Sequence, residues 1–216
     1  MNKYLKEFLL WVLIALPYVY LATIWNQLPE QVPIHFNYGV ADNWSSKTAL
    51  LYIPGALEIG IYLLMLVIPY IDPKKKIQQM GSKYYSIRFI ITLFFAIIAG
   101  CILYTSKTES LNPILIFALL GGLFAMLGNY FQTIRPNYFV GIRTPWTLQN
   151  EQVWKKTHRI GGQLWTAGGI LIAILSFSLD RQIFFILFVI ISSIMIIVPV
   201  IFSYTEFQKE KNILSK

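Results

Sequence analysis

The sequence predicts an all-α integral membrane protein: six transmembrane helices in one bundle, with an extracytoplasmic loop cap and a short cytoplasmic amphipathic helix. Three observations carry that expectation. The chain is 56% hydrophobic and only 13% charged over 216 residues, whereas a soluble domain carries about 25% charged residues. Apolar runs of membrane-crossing length recur along it, and about 20 such residues span a bilayer as a helix. Finally, basic residues alternate in density between successive connections, the asymmetry of a multi-pass protein.

The six expected spans are residues 8–25, 50–70, 86–105, 113–134, 163–179 and 183–204. The first is too long for a signal-peptide core and no small-residue cleavage site follows it, so it is expected to be retained. With the N-terminus placed in the cytoplasm, only Lys47, Lys107 and Arg181 of the 18 basic residues fall outside. Six spans then return the C-terminus to the cytoplasm. The net charge of +8 reads as a fringe facing anionic headgroups, with the lipid bilayer as partner and no direct contact to nucleic acid. Cys101 stands alone inside the third span, so neither a disulfide framework nor a thiolate metal site is expected.

The connections differ in size. Residues 106–112 and 180–182 make tight outer hairpins, whereas 26–49, 71–85 and 135–162 are substantial. The basic loop with Lys74, Lys75, Lys76 and Lys83 reads as a topology and headgroup anchor.

In the outer loop, Pro29 and Pro33 oppose helix. Val32 to Phe36 reads as a short extended segment, and Asn37, Tyr38 and Gly39 supply turn chemistry. Asp42, Asn43 and Ser45 are placed to cap the second span. His35, Phe36, Asn37, Tyr38 and Trp44 form either a structural cap or a docking surface. His35 has no Cys, Asp or second His at ligand spacing, so no metal is expected there.

The inner loop is a dense polar and aromatic block that membrane insertion does not require. Pro136 ends the fourth helix. Thr144 followed by Pro145 reads as an N-cap with proline at the first helical position. Residues 146–160 then form an amphipathic helix lying at the inner surface, with Gly161 and Gly162 ending it or hinging it into the fifth span. Glu151, Trp154 and His158 share one face by their three-and-four spacing, and Glu151 is also in register to pair with Lys155. Arg143 offers a fork of donors for a carboxylate or phosphate, and His158 is a candidate for titration near neutral pH. No nucleophile accompanies Glu151 and His158, and the set falls short of a three-ligand zinc site, so no enzyme is expected.

Within the membrane, Glu58 is a functional-site candidate by default, with Tyr18, Tyr62 and Thr92 as possible partners. Pro17, Pro54 and Pro199 are candidate kinks. Gly100, Gly121, Gly122, Gly128, Gly168 and Gly169 are candidate close-packing positions.

The inner run from Asn137 through Gly141, Ile142, Arg143, Thr144, Pro145, Trp146, Thr147 and Leu148 resembles the signature of the SdpI family of bacterial membrane proteins. Its continuation in Glu151, Val153, Trp154, Thr157, His158, Arg159, Gly161 and Gly162 fits the same pattern. The outer stretch with Leu28, Pro29, Val32, Pro33, Ile34, His35, Phe36, Asn37, Gly39, Asp42, Asn43 and Trp44 is similar to the DUF1648 module that often precedes it. The resemblance implies a DUF1648-like module over 1–70 and an SdpI-like module over 71–216. It also implies immunity to a secreted, SdpC-derived toxin peptide in a bacterial cell membrane. By the same resemblance, His35, Phe36, Asn37, Tyr38 and Trp44 meet the peptide outside. Asn137, Arg143, Thr144, Pro145, Trp146, Glu151, Trp154, His158 and Arg159 meet a cytoplasmic partner, an SdpR-like repressor held at the membrane. No cofactor is implied. Two other readings stay open: a small proton-coupled transporter using Glu58, and a membrane enzyme using Glu151 and His158.

Overall fold

The computed structural model describes residues 2–37, 40–73, 75–109 and 112–214. Tyr38, Gly39, Lys74 and Lys216, which carried expectations above, lie outside the described residues. The chain is all-α apart from one small hairpin. Its elements are α1 (Lys3–Ile24), β1 (Gln31–Asn37), β2 (Val40–Ser46), α2 (Ile53–Ile71), α3 (Ser82–Thr108), α4 (Pro113–Phe131), α5 (Pro145–Gln149), α6 (Glu151–Ser178) and α7 (Arg181–Leu214). All but α5 and the strands are long and apolar enough to cross a membrane, giving six candidate spans among the described residues.

The residues divide into two compact units, one of Met1–Val67 with Arg88–Ile116 and one of Ile68–Ile87 with Phe117–Lys216. In the first, the Asn2 side chain accepts the Tyr4 N–H and starts α1, satisfying a donor that the helix leaves orphaned. The loop after α1 is more ordered than a single extended segment: β1 and β2 pair antiparallel, Val32 opposite Ser45 and Pro33 opposite Trp44. The register slips between Pro33 and Phe36, where Pro33 has no N–H to give the ladder; a two-stranded ribbon tolerates this. Asp42 and Asn43 are therefore strand residues and not caps. The cap is Ser46, whose hydroxyl accepts the Thr48 N–H at 3.4 Å and opens the 3-10 turn Lys47–Leu51. Val32 anchors the hairpin in a core with Leu21, Ile24, Leu28, Leu50 and Leu103.

Near the start of α1, Arg88 holds Glu7 through both Nη atoms of its guanidinium, at 2.8 and 2.9 Å. Tyr62 donates to the same carboxylate at 2.9 Å, and the guanidinium also lies over its ring at 5.2 Å. This triad ties α1, α2 and α3 together with a bidentate, charge-assisted contact. Nothing in the spacing of these three residues announced it.

In the second unit, α4 and α6 approach closely along a stripe of small residues. A Cβ added at Gly128 would lie 2.6 Å from the Thr166 nitrogen, and one at Gly162 would lie 2.7 Å from the Gly128 oxygen. Gly121 and Gly169 oppose each other the same way, at 2.6 Å and 2.5 Å from each other's carbonyl oxygens. Without a hydrophobic force between helices in lipid, such backbone-to-backbone packing is what holds a pair together. Gly100 and Gly122, expected to do likewise, face open space. Pro54 is the second residue of α2 and so no kink, since a first-turn proline gives up no helical hydrogen bond. Pro17, Pro69 and Pro199 are inside their helices. Beyond residue 204 the α7 helix continues to Leu214.

Candidate functional site

The polar block begins where α4 stops. Asn137 is 1% exposed and organises the turn after Pro136. Its Oδ1 accepts the N–H groups of Phe139 (2.8 Å) and Val140 (2.7 Å), while Nδ2 donates to the carbonyls of Arg135 (2.7 Å) and Val140 (3.0 Å). A buried loop leaves backbone groups needing partners, and one side-chain amide supplies four of them. Arg143 folds back to donate from Nη1 to the Tyr138 carbonyl.

Gly141 comes next, with φ +108°, a conformation that favours glycine. A Cβ there would also lie 2.4 Å from His158 Nε2. The approach lets the Ile142 N–H donate to that nitrogen at 2.9 Å, while Nδ1 donates to the Trp154 carbonyl at 2.9 Å. With one nitrogen accepting and the other donating, this is a neutral imidazole of fixed tautomer. The ring stacks on Trp154 with centroids 4.0 Å apart, and the Trp154 indole donates to the Ile134 carbonyl at 2.7 Å.

Thr144 and Thr147 form a reciprocal capping box at α5, with Pro145 in its first turn. Thr144 also meets Ser203 of α7 hydroxyl to hydroxyl at 3.0 Å, and Trp146 packs on Tyr204 at 5.0 Å. Asn150 restarts the chain as α6 by accepting the N–H groups of Gln152 (2.8 Å) and Val153 (3.1 Å). Lys156 bridges Glu206 at 2.5 Å and Glu210 at 2.8 Å on α7.

Four expectations are corrected here. The helix across 146–160 is not one separate surface helix: five residues of α5 are followed by a new start at Asn150, and α6 runs unbroken through Gly161 and Gly162 to Ser178. Those glycines neither end it nor hinge it. They are close-approach sites, Gly161 against Ile142 and Gly162 against α4. The face bearing Trp154 and His158 is not laid in the lipid interface either: Val153, Trp154, Thr157 and His158 are all 1% exposed or less. Glu151 does not share it. It points to solvent and pairs with Lys155 at 3.0 Å, as their spacing suggested. Asn137, Thr144, Trp154 and His158 therefore form an internal frame, and it presents Arg143, Pro145, Glu151 and Arg159, which are exposed, with Trp146 half-buried. The structure does not assemble Glu151 and His158 as an acid–base pair, because both ring nitrogens are engaged elsewhere.

On the hairpin, His35 Nδ1 lies 2.5 Å from Asp42 Oδ1. The strand pairing supplies the carboxylate neighbour that linear spacing did not reveal. Ile34, His35, Val40 and Trp44 are exposed and Phe36 is half-buried. Asn37 pairs with Val40 at the end of the ribbon. Lys47 pairs with Glu30 at 2.7 Å and lies over the Trp25 ring at 5.4 Å.

Glu58 is 3% exposed, and neither carboxylate oxygen has a hydrogen-bond partner among the described residues. It lines a small pocket with Pro17, Tyr18, Leu21, Pro54 and Gly55. Of its expected partners, Tyr62 is taken by Glu7. No group of three or more His, Cys, Asp or Glu side chains is arranged to hold a metal ion among the described residues.

Among the described residues, six membrane-length helices, an ordered hairpin and a buried polar frame at the start of α6 define a multi-pass helical membrane protein. Comparison with known proteins narrows the class. Residues 133–203 match the SdpI/YfhL protein family and residues 12–57 match a domain of unknown function, DUF1648. The chain is similar to Immunity protein SdpI of Bacillus subtilis (strain 168), with 27% identity over 201 residues, covering 92% of this chain and 94% of that protein. No solved structure matches it.

Proposed function

We propose that this protein is an SdpI-like membrane immunity protein, resident in a bacterial cell membrane with both termini in the cytoplasm, that gives resistance to a secreted toxin peptide. The observation that carries the reading is that the two family matches cover the ordered hairpin and the buried polar frame. Residues 12–57 include the whole hairpin, and 133–203 include the frame from Asn137 to Gly162. Near-full-length similarity to an immunity protein supports the same conclusion. In this reading the hairpin faces outward, and His35, Phe36, Asn37, Tyr38 and Trp44 receive the peptide. Arg143, Pro145, Trp146, Glu151 and Arg159, held by the buried Asn137, Thr144, Trp154 and His158, meet a cytoplasmic repressor and keep it at the membrane.

The test is survival of a toxin-sensitive Bacillus strain expressing the chain and challenged with the SdpC-derived peptide. Protection above the empty-vector control supports the immunity reading, and none at normal membrane levels sinks it for this peptide.

A second reading rests on Glu58. A buried carboxylate without a hydrogen-bond partner in an apolar segment is costly and marks proton or substrate sites in transporters. On that reading Glu58→Gln abolishes protection while hairpin changes leave it intact. On the receptor reading the order of effects is reversed.

A further inference from the structure

A cleft of about 300 Å³ opens beside the start of α6, lined by Lys76, Gln132, Thr133, Arg135, Glu151 and Lys155. Its three cations come from three separate stretches of chain. Asp72 accepts the Ile77 N–H at 3.0 Å and shapes the turn that carries Lys76. Arg135 follows α4 and is steadied by a bond to Gln79 at 2.8 Å. Lys155 stands one turn into α6. Among the described residues Glu151 is the single acid lining the cleft and is exposed together with Lys155, so that lining carries a net excess of positive charge.

The depth of the cleft is set by the helices. Gln132 directly follows Phe131, the last residue of the membrane-length stretch of α4, so the lining from 132 to 136 falls at the level where such a span would leave the hydrocarbon. The Trp154 bond to the Ile134 carbonyl fixes the start of α6 at the same level. A concave cationic site at headgroup depth, with guanidinium donors and the neighbouring Gln132 side-chain amide, suits a phosphate group. We propose that this cleft binds a phosphate-bearing anion, and that its ligand in the membrane is the headgroup of an anionic phospholipid. An acidic protein segment would not need the site to sit at the span boundary.

The test is thermal unfolding of the purified full chain in an uncharged detergent, titrated in separate arms with phosphatidylglycerol, phosphatidylcholine and inorganic phosphate. Phosphatidylglycerol is expected to raise Tm saturably and phosphatidylcholine is not. Each neutralised cation is expected to weaken the apparent affinity about fivefold, so Lys76→Gln, Arg135→Gln and Lys155→Gln combined remove the shift. Lys83→Gln, a basic change outside the cleft, retains it. Lys76→Arg with Lys155→Arg keeps the charge and retains it too, which separates lost binding from a damaged fold. An equal response to inorganic phosphate identifies the phosphate alone as the ligand and overturns the lipid assignment. A wild-type shift in the triple variant, or an equal shift with phosphatidylcholine, overturns the site altogether.

Discussion

At the scale of single residues, the structure turns several apparent contact residues into framework. Trp154 and His158 looked like members of a recognition face because helical spacing says which residues share a side. It does not say whether that side faces solvent or protein. Burial decides it, and here the loop bearing Asn137, Gly141 and Ile142 covers them. Asn137→Ala is expected to lower stability by about 2–3 kcal/mol, because two N–H groups and two carbonyls lose their partner at once; thermal unfolding in detergent measures it. Gly141→Ala combines an unfavourable φ with the collision at His158, and is expected to cost about 1–3 kcal/mol. It should also break the Ile142 to His158 bond, visible as a shifted imidazole resonance in NMR. An unshifted resonance would contradict the tautomer assigned here. The N-cap at Thr144 and the proline after it were legible, since capping is local chemistry written in adjacent residues, but the reciprocal bond from Thr147 and the shortness of α5 were not.

Between elements, legibility fell with sequence distance. Six spans followed from runs of apolar residues, and α2 to α4 lie within a few residues of expectation. The hairpin was half-visible: its proline and turn residues pointed to extended chain, but a second strand rich in Asp, Asn and Ser has weak β-propensity and was read as caps. Pairing with β1 and the Val32 anchor override that propensity. Val32→Asp is therefore expected to unseat the hairpin and make the 31–46 segment protease-sensitive in an otherwise folded protein. The long-range ties, Glu7 to Arg88 and Lys156 to Glu206 and Glu210, left no local signal because nothing within a few residues of either partner requires the other. For α4 and α6, glycines such as Gly121, Gly128 and Gly169 pointed to close packing without naming the partner helix, and Gly162 was read as a helix end or hinge. Gly128→Leu inserts a side chain where 2.6 Å is available. It should abolish monodisperse protein on size exclusion, whereas Gly122→Leu, which faces open space, should be tolerated.

For the molecule as a whole, charge asymmetry and family likeness say the most. The proposed topology, which rests on the positive-inside rule, has the hairpin outside and the α6 frame inside, as the proposed receptor role requires. Reporter fusions after residue 41 and after residue 214 should accordingly report opposite compartments. The receptor reading reduces to one interaction, that between the secreted peptide and the hairpin. Equilibrium binding of labelled SdpC-derived peptide to the purified chain, wild type beside Trp44→Ala and Arg143→Ala, tests it most directly. The account predicts saturable binding that Trp44→Ala weakens about tenfold or more, the loss of one exposed aromatic side chain that the peptide would cover, and that Arg143→Ala leaves unchanged. Wild-type affinity in Trp44→Ala, or no binding to the wild type, would contradict it.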